Sequence, residues 1–279
     1  MSEKITGAAD SREGKLVLSL DTSTASLAAA LVRGDEVLRD IQSLAERNHS
    51  VHTVSVVKSL LTECGIQPEE LAGIAIGQGP GSYTGMRIAV SVGKTLAWVW
   101  QKPLVGISSL EALGYGAWHS AANSVGEDRP VWVVPIMDAR RGQVYTSAFQ
   151  ASAAQESWER LAKDGIRLMH DWADKLASDA GELEQKPVAI WVVGELQLHQ
   201  AEVDRLATLC PDIEVRGIPY VVEGWPVAAL GLKRLEAGES DDAHTFIPNY
   251  TQLTEAEVKL QERQAAGSGT EGAGARDGH

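Results

Sequence analysis

The residues best suited to bind an anion form a glycine-rich stretch over residues 77–85, which reads Gly-Gln-Gly-Pro-Gly-Ser-Tyr-Thr-Gly. Glycine adopts backbone angles closed to other residues and proline stiffens the turn, so the amides ahead of a helix can converge on one point. Converging amides and a helix N-terminus favour a phosphate. The spacing matches neither the lysine-containing phosphate loop nor the dinucleotide fingerprint. Two interpretations stay open: a tight strand-to-helix connection, or a phosphate cradle built from Gly79, Gly81 and Ser82.

Two aspartates follow apolar runs and are candidates to face a bound nucleotide. Asp21 comes after Leu16-Val17-Leu18-Ser19-Leu20, and Asp138 comes after the apolar run over 131–137. A carboxylate in that place can orient a metal-bound water, while neighbouring hydroxyls donate to an anion. The hydroxyls that follow the first aspartate belong to Thr22, Ser23 and Thr24. Because Asp, Thr and Ser are also common in hairpin turns, a purely structural turn is the alternative.

Other reactive side chains do not form a site in the sequence. His49 and His52 are three residues apart, but a metal site normally shows three or four ligands, so we predict polar residues at a helix start and no metal site. Cys64 and Cys210 are read as ordinary thiols. Since no Ser-His-Asp or Cys-His set is visible, we predict no catalytic residue in this chain.

The elements around these residues predict an α/β fold with internal duplication. Strands are expected over 16–20, 26–32, 36–43, 71–76, 102–107, 131–137, 143–149 and 188–193, and helices over 49–63, 83–100, 108–118 and 226–237. Residues 155–185 are mostly helical in pattern. The strand, Asp-turn, strand unit at 16–32 is repeated at 131–149. This repeat favours an actin-like or ribonuclease-H-like fold, with two duplicated lobes that each hold a mixed sheet flanked by helices.

The same pattern sets the expected domain boundaries. We predict a disordered leader over 1–14, a first lobe over 15–119, a linker over 120–129, a second lobe over 130–258 and a disordered tail over 259–279. Residues 226–258 belong either to the second lobe or fold back on the first.

Composition limits the partners of the chain. Of its 279 residues 44% are hydrophobic and 23% are charged, and the formal net charge is −13. A nucleic-acid backbone is gripped by Lys and Arg, so we do not expect this chain to bind RNA by itself. With no apolar run long enough for a membrane span and no signal-peptide pattern near the start, we expect a cytoplasmic protein.

The helix after the glycine-rich stretch carries a stripe of small residues. Gly85, Ala89, Gly93 and Ala97 recur every four residues, so their side chains share one face. Such a face allows close approach of another backbone. That backbone belongs either to a helix of another chain or to the chain's own domain.

Several motifs together resemble the bacterial TsaB family, also called YeaZ. The motifs are Leu-Ser-Leu-Asp-Thr-Ser-Thr at 18–24, Gly-Pro-Gly-Ser-Tyr-Thr-Gly-Met-Arg-Ile at 79–88, Pro-Leu-Val-Gly-Ile-Ser-Ser-Leu-Glu-Ala-Leu at 103–113 and Asp-Ala-Arg-Arg-Gly-Gln-Val-Tyr at 138–145. The resemblance runs from about residue 16 to 258 and is weaker between 150 and 187. A closing motif, Ile-Pro-Asn-Tyr-Thr-Gln at 247–252 with Glu255-Ala256-Glu257, carries Gln252 where the family usually has arginine.

The resemblance implies a role in tRNA modification. The family contributes to the formation of threonylcarbamoyladenosine beside the anticodon of tRNAs that read codons starting with A. The resemblance implies that this chain is a non-catalytic scaffold that binds TsaD, its catalytic paralogue, within a complex that includes the ATPase TsaE. A TsaC-type enzyme supplies the intermediate, tRNA is bound only through the complex, and the chain alone is expected to form a homodimer. We expect no tightly bound cofactor, with ATP or ADP bound at the complex.

The same comparison implies that the chain holds no catalytic metal. In TsaD, two histidines four residues apart hold the ion, and the matching positions here are Ser109 and Leu113. Leucine cannot ligate a metal and a lone serine is a poor ligand. A peptidase activity is not expected either.

The predicted interface with TsaD or with a second copy of the chain lies on the helices over 49–63 and 83–99. Its predicted residues are Val51, Val54, Lys58, Gly85, Met86, Ala89, Gly93 and Ala97.

Three alternatives remain open at this point. The first is a small-molecule kinase or nucleotide hydrolase that uses Asp21 and Asp138 with Mg²⁺. The second is a nucleotide sensor that binds through the glycine-rich stretch without chemistry. The third is a direct tRNA-binding module, which the net charge disfavours. Two roles remain open for Arg87, Arg140 and Arg141: they contact a partner, or they only keep an exposed face of the protein polar.

Overall fold

A computed structural model describes residues 14–44, 49–121, 129–154 and 156–251, with the backbone alone at residues 44 and 49–51. The first lobe contains β1 (Leu16–Asp21), β2 (Ser26–Arg33), β3 (Glu36–Leu44), α1 (His49–Cys64), β4 (Gly73–Gly77), α2 (Tyr83–Trp100), β5 (Leu104–Ile107) and α3 (Ser109–Ala121). The second contains β6 (Val131–Asp138), β7 (Gln143–Ser152), β8 (Ser157–Leu168), α4 (Met169–Gly181), β9 (Ala189–Gly194), α5 (Gln200–Leu209) and β10 (Glu214–Pro219), and α6 (Gly224–Glu236) follows.

The two sheets have the same topology. Their strand orders are β3-β2-β1-β4-β5 and β8-β7-β6-β9-β10. In each sheet the first strand lies at the centre, antiparallel to the second and parallel to the fourth. This order is that of the actin-like and ribonuclease-H-like fold, so the predicted fold class and its duplication are confirmed.

Both faces of the first sheet are covered, which explains why β1 is buried along its whole length. One core cluster joins Leu16, Leu18 and Leu20 of β1 to α1 and α2, and another joins Val17 to α3 and α6. At Gly231 of α6 an added Cβ would lie 3.3 Å from Val105 Cγ2 and closer still to Ala75 Cβ. Helix α6 therefore lies directly on the first sheet, although it follows the second sheet in sequence.

The helical prediction for 155–185 is wrong over its first half. Residues 157–168 form β8, which pairs antiparallel with β7 at the edge of the second sheet. Only 169–181 is helical. The charged residues of β8 are tolerated because an edge strand leaves much of its surface in water, and pairing with β7 overrides local helix propensity.

Several predictions fall outside the described residues. They concern most of the leader over 1–14, most of the linker over 120–129, the tail over 259–279, the side chains of His49 and Val51, and the closing motif from Gln252 onward. Among the helices that are described, none combines the length and the apolar character that crossing a membrane requires.

Candidate functional site

The glycine-rich stretch packs against the turn between β1 and β2. The Ser82 amide donates to the Ser23 carbonyl oxygen at 2.6 Å. Gly81 has a φ of +154°, and an added Cβ there would lie 2.9 Å from Ser23 Cβ and closer still to the Ser23 carbonyl oxygen. At Gly85 an added Cβ would run into the Thr22 carbonyl group. Glycine is therefore required at both positions because the two loops touch.

Several amides of this stretch already have acceptors within the chain. The Gly79 amide donates to Ser109 Oγ at 3.0 Å, and the Gly85 amide donates to Ser82 Oγ at 3.3 Å. Further along α2, the Ala89 amide donates to Thr22 Oγ1 at 3.1 Å. This geometry is that of a tight strand-to-helix connection, one of the two interpretations that the sequence left open. A phosphate cradle at Gly79, Gly81 and Ser82 stays a prediction that requires the two loops to separate.

Asp21 lies at the centre of this contact and is only 1% exposed. Its carboxylate accepts the Ser23 amide at 2.6 Å and the Ser109 hydroxyl at 2.5 Å. Burial raises the pKa of this carboxyl, and the hydrogen bonds from Ser109 and Ser23 oppose that rise. An added Cβ at Gly77 would overlap the carboxylate. Asp21 thus joins β1, β4 and α3, and its carboxylate is directed at the protein interior.

Two of the remaining hydroxyls near Asp21 are bonded to backbone groups. Thr22 Oγ1 donates to the Gly85 carbonyl oxygen at 2.6 Å, and Thr24 Oγ1 accepts the Ser26 amide at 3.2 Å. Ser23 Oγ is buried and has no hydrogen-bond partner within the described residues. The predicted anion ligands Thr22 and Thr24 are therefore occupied by backbone groups.

The two positions at which the family resemblance implies the metal ligands of TsaD are both buried. Ser109 is fully buried between Asp21 and Gly79, and Leu113 belongs to the core cluster between α3 and α6. An added Cβ at Gly194 would lie 3.0 Å from Leu113 Cδ2. Across residues 14–44, 49–121, 129–154 and 156–251, no group of three or more His, Cys, Asp or Glu side chains is arranged to hold a metal ion.

Asp138 has a different set of partners, none of them shared with Asp21. His199 Nε2 lies 3.0 Å from Asp138 Oδ1, and the Asp138 amide donates to Glu195 Oε2 at 2.8 Å. The His199 ring is almost completely buried. Neither His199 nor Glu195 was identified from the sequence, because their positions after β9 give no spacing signal. The contacts depend on the parallel pairing of β6 with β9, which brings Asp138 and Gly194 to one edge.

The small-residue stripe of α2 faces its own lobe, which corrects part of the predicted interface. At Gly93 an added Cβ would lie 2.5 Å from Ile76 Cδ1 and closer still to Ile76 Cγ1. The buried residues of the stripe are Gly85, Ala89, Gly93 and Ala97, and Met86 beside them is also buried. These five residues bring α2 close to β4 and to the turn after β1. Their side chains are therefore unavailable to a second chain.

The exposed faces of α1 and α2 are the part of the predicted interface that remains open to solvent. Val54, Trp98 and Val99 are 56%, 66% and 58% exposed, and Lys58 is also exposed. Near the start of α2 the Arg87 guanidinium lies 4.1 Å from the centre of the Tyr83 ring. A groove of about 370 Å³ between the helices is lined by Val54, Lys58, Leu61, Leu96 and Trp100, among others. We call this area, with Tyr83 and Arg87, the helix-pair surface.

Comparison with known proteins gives consistent relatives. The family model described as TsaD, tRNA N6-adenosine threonylcarbamoyltransferase, matches residues 41–260. A protein of Bacillus subtilis (strain 168) named tRNA threonylcarbamoyladenosine biosynthesis protein TsaB is 34% identical over 253 residues, which cover 89% of this chain and 99% of the relative. The protein of the same name from Escherichia coli (strain K12) is 32% identical over 134 residues, or 48% of this chain and 54% of the relative.

A solved structure supports the fold. The structure described as YeaZ from Pseudomonas aeruginosa superposes with a TM-score of 0.63 at 21% identity, and the match covers 85% of this chain and 99% of that one. At this level of identity the likeness concerns the arrangement of the elements.

Proposed function

The chain belongs to the TsaB family, and we propose that it acts in the biosynthesis of threonylcarbamoyladenosine in tRNA as a non-catalytic subunit that binds TsaD. In this proposal TsaD transfers the threonylcarbamoyl group, TsaE joins the complex, and a TsaC-type enzyme supplies the activated intermediate. The tRNA is bound through the complex, since a chain with a net charge of −13 repels a phosphate backbone. We place the protein in the cytoplasm, where tRNA is modified.

The observation that carries the proposal is the helix-pair surface. Val54, Trp98 and Val99 expose large apolar side chains on two adjacent helices, and near the start of α2 Arg87 stacks on Tyr83. Large apolar side chains exposed on adjacent helices are typical of interaction sites. Trp, Tyr and Arg are the residues that contribute most to protein interfaces. In the absence of TsaD, the same surface suits a second copy of this chain, so a homodimer is the expected state of the protein alone.

A non-catalytic role agrees with the packing around Asp21. Ser109 and Leu113 fill the places where TsaD has its metal ligands, and both are engaged within the core. The alternative of a nucleotide-dependent kinase or sensor is less favoured, because the loops that would hold the phosphates are in direct contact. ATP or ADP is accordingly proposed to bind at the assembled complex, with no cofactor held tightly by this chain.

The proposal is tested by light scattering behind size-exclusion chromatography, with the full chain alone and mixed with TsaD of the same organism. We expect a stable complex of one-to-one stoichiometry or larger. Val54→Glu and Trp98→Glu should each weaken it at least about tenfold, because each places a charge in a desolvated apolar contact. Leu183→Glu is the matched control, since Leu183 is 42% exposed but lies just after α4 in the second lobe.

Circular dichroism and thermal unfolding establish that each variant is folded before it is compared. If TsaD elutes separately from the wild-type chain even with TsaE and nucleotide present, the proposed role is wrong. If the complex forms and the Val54 and Trp98 variants bind as the control does, the role stands but the helix-pair surface is not the interface.

A further inference from the structure

The second lobe carries a groove of about 730 Å³ at the carboxyl ends of β6, β9 and β10. Asp138 and Gly194 end two of these strands, Tyr220 follows the third, and Gln42 of β3 closes one side. Open α/β sheets bind their ligands at the carboxyl ends of strands, so the position is suited to recognition. We call it the acidic groove.

One wall of the acidic groove is negatively charged. Asp138, Glu195 and Glu223 line it, and no Lys or Arg is among the described residues that do so. Glu223 and Glu195 are each oriented by a donor of the chain. Glu223 accepts the Tyr220 hydroxyl at 2.6 Å, and Glu195 accepts the Asp138 amide at 2.8 Å. These two hydrogen bonds hold Glu223 and Glu195 with uncharged donors, while Asp138 Oδ1 lies 3.0 Å from His199 Nε2.

The rim of the groove is apolar and unusually exposed. Leu198 is 77% exposed, the largest exposure among the large apolar side chains of the described residues, and Val221 is 48% exposed. Pro219, the last residue of β10, also lines the groove. Leu196 at the base is buried. Apolar side chains exposed beside fixed carboxylates favour a ligand that has both aliphatic surface and positive charge.

We propose that the acidic groove docks a basic segment of a partner protein, in which Arg or Lys alternates with apolar residues. The aliphatic stems of Arg and Lys pack against Leu198 and Val221, and their charged ends reach the carboxylates of Glu195 and Glu223. A nucleotide or an RNA strand is disfavoured because its phosphates would face three carboxylates. The groove shares no lining residue with the helix-pair surface, so the proposal does not rest on the proposed function.

The test uses the full chain and a fluorescein-labelled peptide, Leu-Arg-Leu-Arg-Leu-Arg, in a fluorescence anisotropy titration at physiological salt. Leu198→Ser and Glu195→Gln should each weaken binding about fivefold or more, because each removes one of the two contacts that the groove offers. The first variant keeps the net charge, so its effect is separate from general attraction to an acidic protein. Glutamine at 195 retains an acceptor for the Asp138 amide.

Matched controls are Leu183→Ser and Glu159→Gln, an exposed leucine and an exposed glutamate outside the groove. They should leave peptide affinity within about twofold of the wild type. Equal losses in all four variants, or no loss in Leu198→Ser, would overturn the proposal. It is also overturned if spermidine displaces the peptide at the same concentration as unlabelled peptide, since the site would then take a small cation. Self-association that Leu198→Ser abolishes would assign the groove to a second copy.

Discussion

Replacement of Gly93 by alanine tests whether α2 is held against its own sheet. In a helix exposed to solvent this change is favourable by about 1 kcal/mol, because alanine has the higher helix propensity. Here the new methyl group would meet the side chain of Ile76, which is only 1% exposed, at 2.5 Å from Cδ1 and closer still to Cγ1. Two carbon atoms at their optimal separation are about 3.5–4.0 Å apart. Either α2 must shift or Ile76 must leave its rotamer.

The two effects have opposite signs and similar size. Insertion of a methyl group into a well-packed core costs about 1–3 kcal/mol. After the gain in helix propensity of about 1 kcal/mol, Gly93→Ala should lower the free energy of unfolding by up to about 2 kcal/mol. Gly93→Leu should cost considerably more and yield a poorly folded protein.

A double-mutant cycle isolates the contact. Ile76→Ala alone should cost about 2–5 kcal/mol through loss of burial and creation of a cavity. In that background the added methyl group at Gly93 retains only an ordinary contact, 3.5 Å from Ile76 Cβ. Gly93→Ala should then stabilise the protein by about 1 kcal/mol, so its effect changes sign. Urea unfolding followed by circular dichroism gives the free energies, with the slope on urea concentration checked for constancy.

The prediction is refuted if Gly93→Ala is more stable than the wild type by the full helix-propensity gain and gives the same gain in the free energy of unfolding in the Ile76→Ala background. The absence of coupling would mean that Gly93 does not press on Ile76, and the small-residue stripe would again be a candidate interface. Loss of the TsaD complex in such a stable variant would assign it to that interface.

Three further predictions concern polar side-chain contacts. Ser109→Ala should lower the free energy of unfolding by about 1–3 kcal/mol, because the Asp21 carboxylate and the Gly79 amide lose their hydrogen-bond partner. The control, Ser91→Ala on the exposed side of α2, should leave the free energy from urea unfolding nearly unchanged. Because burial raises the pKa of Asp21, its carboxyl group binds a proton more tightly in the native state than in the unfolded state. The free energy of unfolding should therefore fall as pH rises from about 4 toward neutrality. Asp21→Asn should reduce this dependence on pH, as measured by urea unfolding at a series of pH values. Asp40→Ala should cost about 0.5–2 kcal/mol, because its carboxylate caps the first amides of α6, with Asp35→Ala in the β2–β3 turn as the control in thermal unfolding.

The sequence predicted the elements of the candidate site better than it predicted their contacts. The strand, glycine turn and helix over 73–100 are found as predicted, because apolar periodicity and glycine positions act locally. Which face of α2 turns inward is not a local property. Small residues every four positions fit a partner chain and a neighbouring strand equally well, and only the position of Ile76 distinguishes the two.

The wrong helix prediction over residues 157–168 also arises because the deciding contacts are not local. The segment has charges and short-range spacing typical of a helix, yet its backbone groups pair with β7 across the edge of the second sheet. Strand pairing depends on a partner that is available only after folding, whereas helix propensity is encoded within the segment. The glycine-rich stretch shows the same limit, since its amides are occupied by Ser23 and Ser109 from other parts of the chain.

The sequence by itself determined the fold class, its duplication and the TsaB family, because repeated apolar strands and specific motifs are properties of residue order. It also determined that the helix after the glycine-rich stretch has one face of small residues. Only the tertiary structure decided that this face lies on Ile76, that the Asp21 carboxylate meets Ser109, and that Asp138 meets His199. Each of these contacts joins residues that are far apart in sequence or on different elements. Their distances are set by how the sheets and helices pack, and no local pattern records that packing.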